Sequence, residues 1–372
     1  MSTRTTPPFR ADHVGSLLRS QKLKEARLAH KDGRLPASRL REIEDAEIRR
    51  IVARQQEVGL QGVTDGEFRR DYWYLDYMWQ VGGVVRVDSG HVLRFRTNEG
   101  KVESPVPSFR VVAPLKSEKT IFAEDFGFLK SVAKVTPKMT IPSPSMMHFR
   151  GRAMGIDEKI YPDMDRYRAD LASVYAEQIA ALGKLGCTYL QLDDTSWGFA
   201  SDANWRNTNL AGYESSKGLL DTYAEAVNAA LARKPAGMTV CMHICRGNFK
   251  SAWAAEGGYD EVADTLFNKV KVDAFFLEYD DARSGSFAPL RWVPKDKTIV
   301  LGLVTSKTPL LERKDDLKRR IDEAAQFIPL DQLCLSPQCG FASTIEGNEL
   351  SEDEQMAKLK LVVDTAREVW GG

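Results

Sequence analysis

The sequence has few cysteines, no net charge and no apolar run long enough to cross a bilayer. Its 372 residues include five cysteines, and 52 Lys and Arg balance 52 Asp and Glu. Five cysteines in a chain of this length do not indicate a disulfide framework. A neutral chain offers no basic surface for nucleic acid or a membrane, and the first residues lack the apolar core of a signal peptide. We therefore expect a cytoplasmic protein without nucleic-acid or membrane partners. The sequence leaves open whether the protein forms a homo-oligomer.

The alternation of apolar and helical segments predicts an α/β fold. At 43% hydrophobic residues the chain can bury a large core, which suits two domains or one α/β barrel with insertions. Strands are expected to end near residues 16, 67, 142, 193, 245, 279, 304 and 337. Eight strands, each followed by a helix or an insertion, predict a single (β/α)8 TIM barrel over residues 1–372. A doubly wound open sheet is the alternative, and the absence of a Gly-x-Gly-x-x-Gly turn weakens its dinucleotide-binding form.

Two segments stand apart from the regular alternation. Residues 72–118 contain an aromatic cluster and then two β-forming runs around Asp88-Ser89-Gly90, which predicts a β-hairpin inserted after the second strand. This insertion is expected to serve as a lid or a partner surface. Near the other end, Thr308 and Pro309 predict the start of a helix.

A histidine and a cysteine share one face of a predicted strand. Residues 239–245 have strand character, and side chains alternate between faces, so His243 and Cys245 point the same way. One imidazole and one thiolate form half of a zinc site. Taken alone, the pair is better explained as a buried core histidine and an inert thiol.

Two more potential ligands end other strands. Glu278 closes an otherwise apolar strand, where an unpaired carboxylate would be costly, and Cys339 lies in a loop beside a glycine. Zinc accepts all these donors and prefers four ligands, and two thiolates favour it over magnesium or calcium. The predicted metal ligands are therefore His243, Cys245, Glu278 and Cys339. Cys187 and Cys334 are expected to be buried as small hydrophobic residues.

Further polar residues lie at the predicted carboxyl ends of strands, where barrels place their chemistry. Ser16, Glu67 and Asp193 end strands, and Lys307 follows one. The two acids suit a substrate ammonium group, although acids at strand ends also act as structural caps. Lys307 is either a group at the mouth of the site or a solvated residue before a helix.

Together these motifs resemble the catalytic barrel of cobalamin-independent methionine synthase. The resemblance runs from about residue 10 to the C-terminus. It rests on His243-x-Cys245, on Glu278 within Phe276-Leu277-Glu278, and on Ser336-Pro337-Gln338-Cys339-Gly340. Three further motifs match in the same order: Val14-Gly15-Ser16, Asp65-Gly66-Glu67 and Gln191-Leu192-Asp193.

The resemblance implies a zinc-dependent thiol S-methyltransferase of the 5-methyltetrahydropteroyltriglutamate–homocysteine type. It implies a (β/α)8 barrel with Zn²⁺ on the four ligands. Homocysteine would join the zinc as a thiolate, with its amino acid end near Ser16, Glu67 and Asp193. A methylated tetrahydrofolate would supply the methyl group, and Asp193 and Lys307 are the expected catalytic residues.

Two departures from the family pattern keep other functions open. Full-length members carry a second barrel that helps to hold the folate, which these residues do not include. The family places a proton-donating histidine in a Gly-x-x-x-x-His-x-Pro stretch, where this sequence has Lys307. A zinc-dependent alkyltransferase of the epoxyalkane:coenzyme M transferase type and methyl transfer from methylcobalamin are therefore alternatives. A non-enzymatic zinc-bearing binding protein belongs to another class, which would show no turnover.

Overall fold

The computed structural model describes residues 4–97, 100–209 and 216–371. In these ranges the strands are β1 Gly62–Val63, β2 Gly82–Thr97, β3 Gly100–Lys116, β4 Thr136–Pro142, β5 Tyr189–Asp194, β6 Thr239–Ile244, β7 Ala274–Glu278, β8 Thr298–Val304 and β9 Leu333–Pro337. The α-helices are α1 Gln21–Lys31, α2 Ala37–Glu57, α3 Leu75–Met78, α4 Ala123–Val132, α5 Pro144–Met154, α6 Met164–Lys184, α7 Ser196–Ser201, α8 Ala203–Asn209, α9 Ser216–Ala230, α10 Ala263–Lys269, α11 Lys314–Ala325 and α12 Glu352–Trp370.

Seven strands form one curled parallel sheet in the order β1-β4-β5-β6-β7-β8-β9. Parallel neighbours need a crossover connection, and helices supply most of these. The N-terminal segment contacts both edges of this sheet. The Asp12 N–H donates to Leu335 O of β9 at 3.0 Å, and the Leu17 N–H donates to Gly66 O beyond β1 at 3.0 Å. One segment can reach both edges only because the sheet curls, as in a TIM-like barrel.

The predicted first strand, ending near residue 16, is wrong. Around it the structure has only an isolated parallel bridge between Ala11 and Leu335. Side chains occupy the carbonyls that a strand would use in a ladder: Gln191 Nε2 donates to Val14 O at 2.6 Å, and Thr64 Oγ1 donates to Gly15 O at 2.6 Å. The second predicted strand is also shorter than expected, since β1 is two residues long.

The sheet separates two apolar layers, as its alternation predicts. Leu190, Leu192, Phe275 and Leu277 pack with the surrounding helices in the largest hydrophobic cluster. The opposite face contributes a smaller cluster inside the curled sheet, with Phe9, Val14, Tyr189, Cys241, Ala274, Phe276, Val300 and Cys334. The parity that places Gln191, Asp193 and Glu278 on the inner face follows from this division.

A long antiparallel hairpin lies between β1 and β4. Strands β2 and β3 pair from Gly82 opposite Lys116 to Thr97 opposite Gly100, with irregular register near residues 87–91. The segment corresponds to the β-forming runs of residues 72–118, whose positions 98 and 99 lie outside the described residues.

The helix predicted at Pro309 is wrong. Residues 309–313 are irregular, and α11 begins only at Lys314 after the extended residue Arg313. The Glu312 carboxylate accepts the Thr305 N–H at 2.8 Å and faces Lys358 Nζ at 3.2 Å. These tertiary contacts hold the segment in a loop, and they outweigh the local preference of Pro309 for the first turn of a helix.

The last helix carries a capping box at its start. Ser351 Oγ accepts the Glu354 N–H at 3.2 Å, and the Glu354 carboxylate accepts the Ser351 N–H at 2.7 Å. We expect Ser351→Ala to lower the free energy of unfolding by about 1 kcal/mol, measured by urea denaturation. Ser131→Ala is the control, because the Ser131 hydroxyl donates to a carbonyl near the end of α4 and caps no N–H. Equal losses in both variants would contradict this role of the cap.

No helix in the part of the chain that the structure describes is both long and apolar enough to span a membrane.

Candidate metal centre and substrate pocket

The four predicted metal ligands meet at the carboxyl ends of the strands. His243 lies near the end of β6 and Cys245 follows that strand, Glu278 is the last residue of β7, and Cys339 comes two residues after β9. Their ligand atoms all lie within 4.8 Å of one another, and all four residues are buried. Three separate strand ends thus converge on one point.

The donor set fits a metal ion of the zinc type. The two sulfurs of Cys245 and Cys339 are 3.5 Å apart. Neither ring nitrogen of His243 has a hydrogen-bond partner among the described residues, although the ring is only 2% exposed. A buried imidazole without a partner is unusual, and a metal ion on one of its nitrogens would satisfy it. Two sulfurs, one imidazole and one carboxylate are ligands that Zn²⁺ accepts.

The protonation states of the four groups are linked. The hydrogen bond between the two thiols raises the pKa of Cys245 and lowers that of Cys339, and His243 lowers the pKa of Cys339 further. Burial alone would lower the pKa of His243, but the neighbouring Cys339, Asp193 and Glu278 raise it. Burial raises the pKa of Glu278, and His243 opposes that shift. The ionisation of each of these four groups therefore depends on that of its neighbours.

Backbone N–H groups and the hydroxyl of a tyrosine hold two of the ligands in place. The Arg246 N–H donates to Glu278 Oε1 at 2.9 Å, and the Glu278 N–H donates to Tyr259 Oη at 2.9 Å. The Gly247 N–H approaches the Cys245 sulfur at 3.3 Å. Sequence reasoning missed Arg246 and Tyr259, because a supporting role depends on contacts between segments and has no local sequence signal.

The loop that carries Cys339 is fixed at the neighbouring Gly340. Asn248 Nδ2 donates to Gly340 O at 2.8 Å, and Ser306 Oγ donates to the same oxygen at 3.1 Å. A Cβ at Gly340 would lie 1.9 Å from Ser16 Oγ, so only glycine allows this approach. The N-terminal segment, the loop after β6 and the loop after β9 thereby close around the metal ligands.

One small cavity, here called the thiol cavity, contains most of the predicted site. Ser16, Glu67 and Asp193 line it together with three of the metal ligands, and the remaining lining residues are Val14, Trp73, Gly340 and Ser343. Trp73 was missed as a site residue, because its aromatic segment was assigned to the insertion. The two acids and the serine therefore face the same space as His243, Cys245 and Cys339.

Asp193 lies beside the metal ligands, opposite His243 in the register of β5 and β6. Burial raises the pKa of Asp193 to about 7, with a further increase from Glu67 and an opposing effect from His243. Gln191 Nε2 donates to Asp193 Oδ1 at 2.6 Å and fixes the carboxyl group. An incoming cation would favour the ionised form of this carboxyl group.

Glu67 is held in a strained turn that directs its carboxylate inward. Its φ of 60° lies in the left-handed region that residues other than glycine rarely adopt. Thr140 Oγ1 donates to Glu67 Oε1 at 2.7 Å, and Arg70 approaches the same oxygen at 3.3 Å. Glu67 Oε2 is buried without a hydrogen-bond partner among the described residues. The free oxygen is available to a substrate group that donates hydrogen bonds.

Lys307 faces a second, larger cavity, here called the mouth cavity. This cavity of about 690 Å³ is lined by the loops after β6, β7 and β8, by Glu349, and by Thr97 and Val102 of the hairpin. Lys307 is only 7% exposed, and its Nζ has no hydrogen-bond partner in the described ranges. Its charge lies close enough to Glu278 to lower the pKa of that carboxyl group, against the effect of burial, which raises it. Lys307 thus lies between the metal ligands and an open cavity.

Comparisons with known proteins agree with this arrangement. The family model described as cobalamin-independent synthase, catalytic domain, matches residues 9–368. The Bacillus subtilis protein YxjH, which is uncharacterised, is 49% identical over 98% of this chain and 95% of its own length. A solved structure from Listeria monocytogenes, of a candidate vitamin-B12-independent methionine synthase, has 38% identity and a TM-score of 0.79, covering 99% of this chain and all of that one.

A characterised type of enzyme appears among the more distant relatives. The 5-methyltetrahydropteroyltriglutamate–homocysteine methyltransferase of Streptococcus agalactiae is 21% identical over 96% of this chain, which spans 43% of that enzyme. The chain thus corresponds to less than half of that relative. The family match covers nearly all of the chain, so this protein belongs to the family of the catalytic domain of cobalamin-independent methionine synthase.

Proposed function

We propose that this protein is a zinc-dependent thiol methyltransferase that forms methionine from homocysteine. Family membership supports a methionine-synthase-like methyltransferase. The observation that carries the finer proposal is the convergence of two cysteines, one histidine and one glutamate within 4.8 Å beside a cavity with two buried acids.

The proposed metal ligands are His243, Cys245, Glu278 and Cys339. Bound Zn²⁺ would lower the pKa of a substrate thiol, so that the sulfur is nucleophilic at neutral pH. The unpartnered imidazole of His243 and the paired sulfurs support this role. The burial of all four groups excludes water that would compete with a substrate.

The thiol cavity is proposed to hold the amino acid end of the substrate. Asp193 and Glu67 would bind the ammonium group, and Ser16 would contribute a hydroxyl. Gln191 fixes Asp193 and Thr140 fixes Glu67, so both carboxylates are pre-positioned before substrate arrives. A pre-positioned carboxylate loses little conformational freedom on binding.

We also propose that the chain forms one (β/α)8 barrel domain with the hairpin as an insertion. Residues 10–17 would take the place of an eighth strand, because they bond to both edges of the sheet. This arrangement closes the barrel around the thiol cavity.

The mouth cavity supports a second candidate reaction at the same centre. Lys307 replaces the histidine of the family pattern, and its unpartnered ammonium group would suit an anionic substrate such as coenzyme M. Epoxide alkylation of that thiol is therefore the rival reaction, and methylcobalamin is the rival methyl donor for homocysteine.

Product analysis separates these reactions. Zinc-loaded protein is offered homocysteine with methyl-tetrahydrofolate, homocysteine with methylcobalamin, or coenzyme M with an epoxide, and products are identified by mass spectrometry. Methionine from either methyl donor is the expected result. Alkylated coenzyme M without methionine would replace the proposed function with the rival one.

Lys307→Met is expected to lower kcat/KM for the methyl donor about fivefold. The change removes one charge at the mouth cavity while keeping the length of the side chain, and an interaction of about 1 kcal/mol corresponds to that factor. Zinc content should not change, because Lys307 is not a proposed ligand. Lys22→Met, a change at an exposed lysine, is the control. If kcat/KM is equal in both variants and the wild type, Lys307 has no role in turnover.

A further inference from the structure

The hairpin approaches the metal ligands from two sides. Leu93, Phe95, Ser104 and Val106 line a cleft that also contains Cys245. Thr97 and Val102, nearer the tip, line the mouth cavity that contains Lys307. The hairpin is therefore part of the wall around the proposed reaction centre, and it is more than a surface appendage.

The tip region of the hairpin is docked on the loop that follows His243 and Cys245. Arg96 and Trp253 exchange backbone hydrogen bonds of 2.6 and 3.0 Å. The rings of Phe95 and Phe249 stack with centroids 5.2 Å apart. These contacts tie the hairpin to the loop that follows β6 and Cys245.

Ion pairs strengthen this docking. The Arg96 guanidinium lies 3.5 Å from Asp202 Oδ2 and 3.4 Å from Glu256 Oε2. Asp202 also accepts the Glu256 N–H at 3.1 Å, and Glu256 accepts the Trp253 indole N–H at 2.7 Å. A linked network of this kind holds the hairpin as a fixed wall.

The two cavities differ in what they can hold. The thiol cavity has room for little beyond a small group, whereas the mouth cavity, at about 690 Å³, falls in the range of small-molecule sites. The mouth cavity is therefore the candidate site for a second substrate, and Thr97 and Val102 form part of its wall.

The charges of the mouth cavity indicate the chemical class of its occupant. Arg283 pairs with Asp281, lies 3.6 Å from Asp280, and stacks on the Trp253 ring at 4.2 Å. The whole lining carries three cations, Lys250, Arg283 and Lys307, and three carboxylates, Asp280, Asp281 and Glu349. No carboxylate lies within ion-pair distance of Lys250 or Lys307 among the described residues, so the lining is neutral overall but leaves these two side chains available to an anionic part of an occupant.

We infer that the hairpin determines which methyl donor is accepted, because Val102 and Thr97 form one wall of the cavity that would bind the second substrate. The inference rests on the proposed function and adds a specificity element to it. In this arrangement Val102 contacts the donor directly, and Arg96 acts as a positioning residue through Trp253.

Val102→Trp tests this wall, because a larger side chain there reduces the space in the cavity that Lys307 also lines. The matched control is Val112→Trp, since Val112 lies on the same hairpin, is 41% exposed and lines neither cavity. Binding of methyl-tetrahydrofolate and of methylcobalamin to zinc-loaded protein is measured by calorimetry without turnover. We expect the wild type to bind at least one donor and Val102→Trp to bind it at least fivefold more weakly. Val112→Trp should bind that donor as tightly as the wild type does. Homocysteine affinity and zinc content should be the same in all three proteins.

Arg96→Ala provides a second variant that leaves the lining residues in place. It removes both ion pairs of the docked tip, and it should weaken donor binding while homocysteine still binds. Two results would overturn the inference. One is that Val102→Trp and Arg96→Ala both bind the donor as tightly as the wild type does, and the other is that the wild type binds neither donor. The proposed function is tested separately by methionine formation. A failure of that proposal is therefore distinguishable from a failure of the inference about the hairpin.

Discussion

Replacing Cys245 or Cys339 by alanine is expected to abolish tight zinc binding and all methyl transfer. Each cysteine supplies one of four converging ligands, and the remaining set would have a single sulfur beside an unpartnered His243. A structural zinc ion is worth about 10–16 kcal/mol in small zinc-finger peptides, so the loss of one thiolate should outweigh any other single change at this site. Zinc content is measured by mass spectrometry of dialysed protein, and activity by methionine formation.

Cys187→Ala is the matched control for these variants. Cys187 is a buried cysteine in the layer between sheet and helices, and burial raises the pKa of its thiol to about 12. Its removal should leave zinc content and activity unchanged. The two site variants should keep native circular dichroism, because a hydrophobic core this large does not depend on one ion. Full zinc occupancy in both Cys245→Ala and Cys339→Ala would show that the metal centre lies elsewhere.

Replacing Asp193 by asparagine is expected to weaken homocysteine binding by roughly ten- to a hundredfold. One hydrogen bond to a charged group is worth about 1.5–3 kcal/mol, and each step of about 1.4 kcal/mol is a factor of ten. Asparagine keeps the oxygen that accepts the Gln191 amide at 2.6 Å, so the local structure should persist. The variant therefore removes charge with little change in shape, and calorimetry with zinc-loaded protein measures the effect.

The substrate provides the control for Asp193. A thiol without an ammonium group, such as coenzyme M, should bind Asp193→Asn as well as it binds the wild type. Glu67→Gln should act in the same direction as Asp193→Asn, since Glu67 Oε2 is the free carboxylate oxygen on the same cavity. If coenzyme M binds the wild type more tightly than homocysteine and Asp193→Asn changes neither, the methionine-forming proposal is wrong and the epoxide reaction replaces it.

The sequence alone determined which residues could form a site. Strand alternation gave the inner face to Gln191, Asp193 and Glu278, and the structure confirms this parity in two apolar layers. The same local rule assigned His243 and Cys245 to one side of the strand predicted over residues 239–245. Motif order then led to the family, which the match over residues 9–368 confirms.

Errors arose where a local signal competed with contacts that are distant in sequence. Residues 12–17 have strand character, yet side chains of Gln191 and Thr64 take their carbonyls. Pro309 favours a helix start, yet Glu312 and Lys358 hold that segment in a loop. In both cases residues far along the chain hydrogen-bond to the backbone or fix its path. A local sequence pattern does not include those residues.

Only the tertiary structure decided how the site is enclosed. Curling of the sheet brings β6, β7 and the loop after β9 to one point, which sets the 3.5 Å separation of the two sulfurs. It also places Lys307 on a different cavity from Asp193 and brings Val102 of the hairpin to the same cavity as that lysine. Residue type and alternation are local properties of a sequence, whereas distances between strand ends depend on how the whole sheet closes.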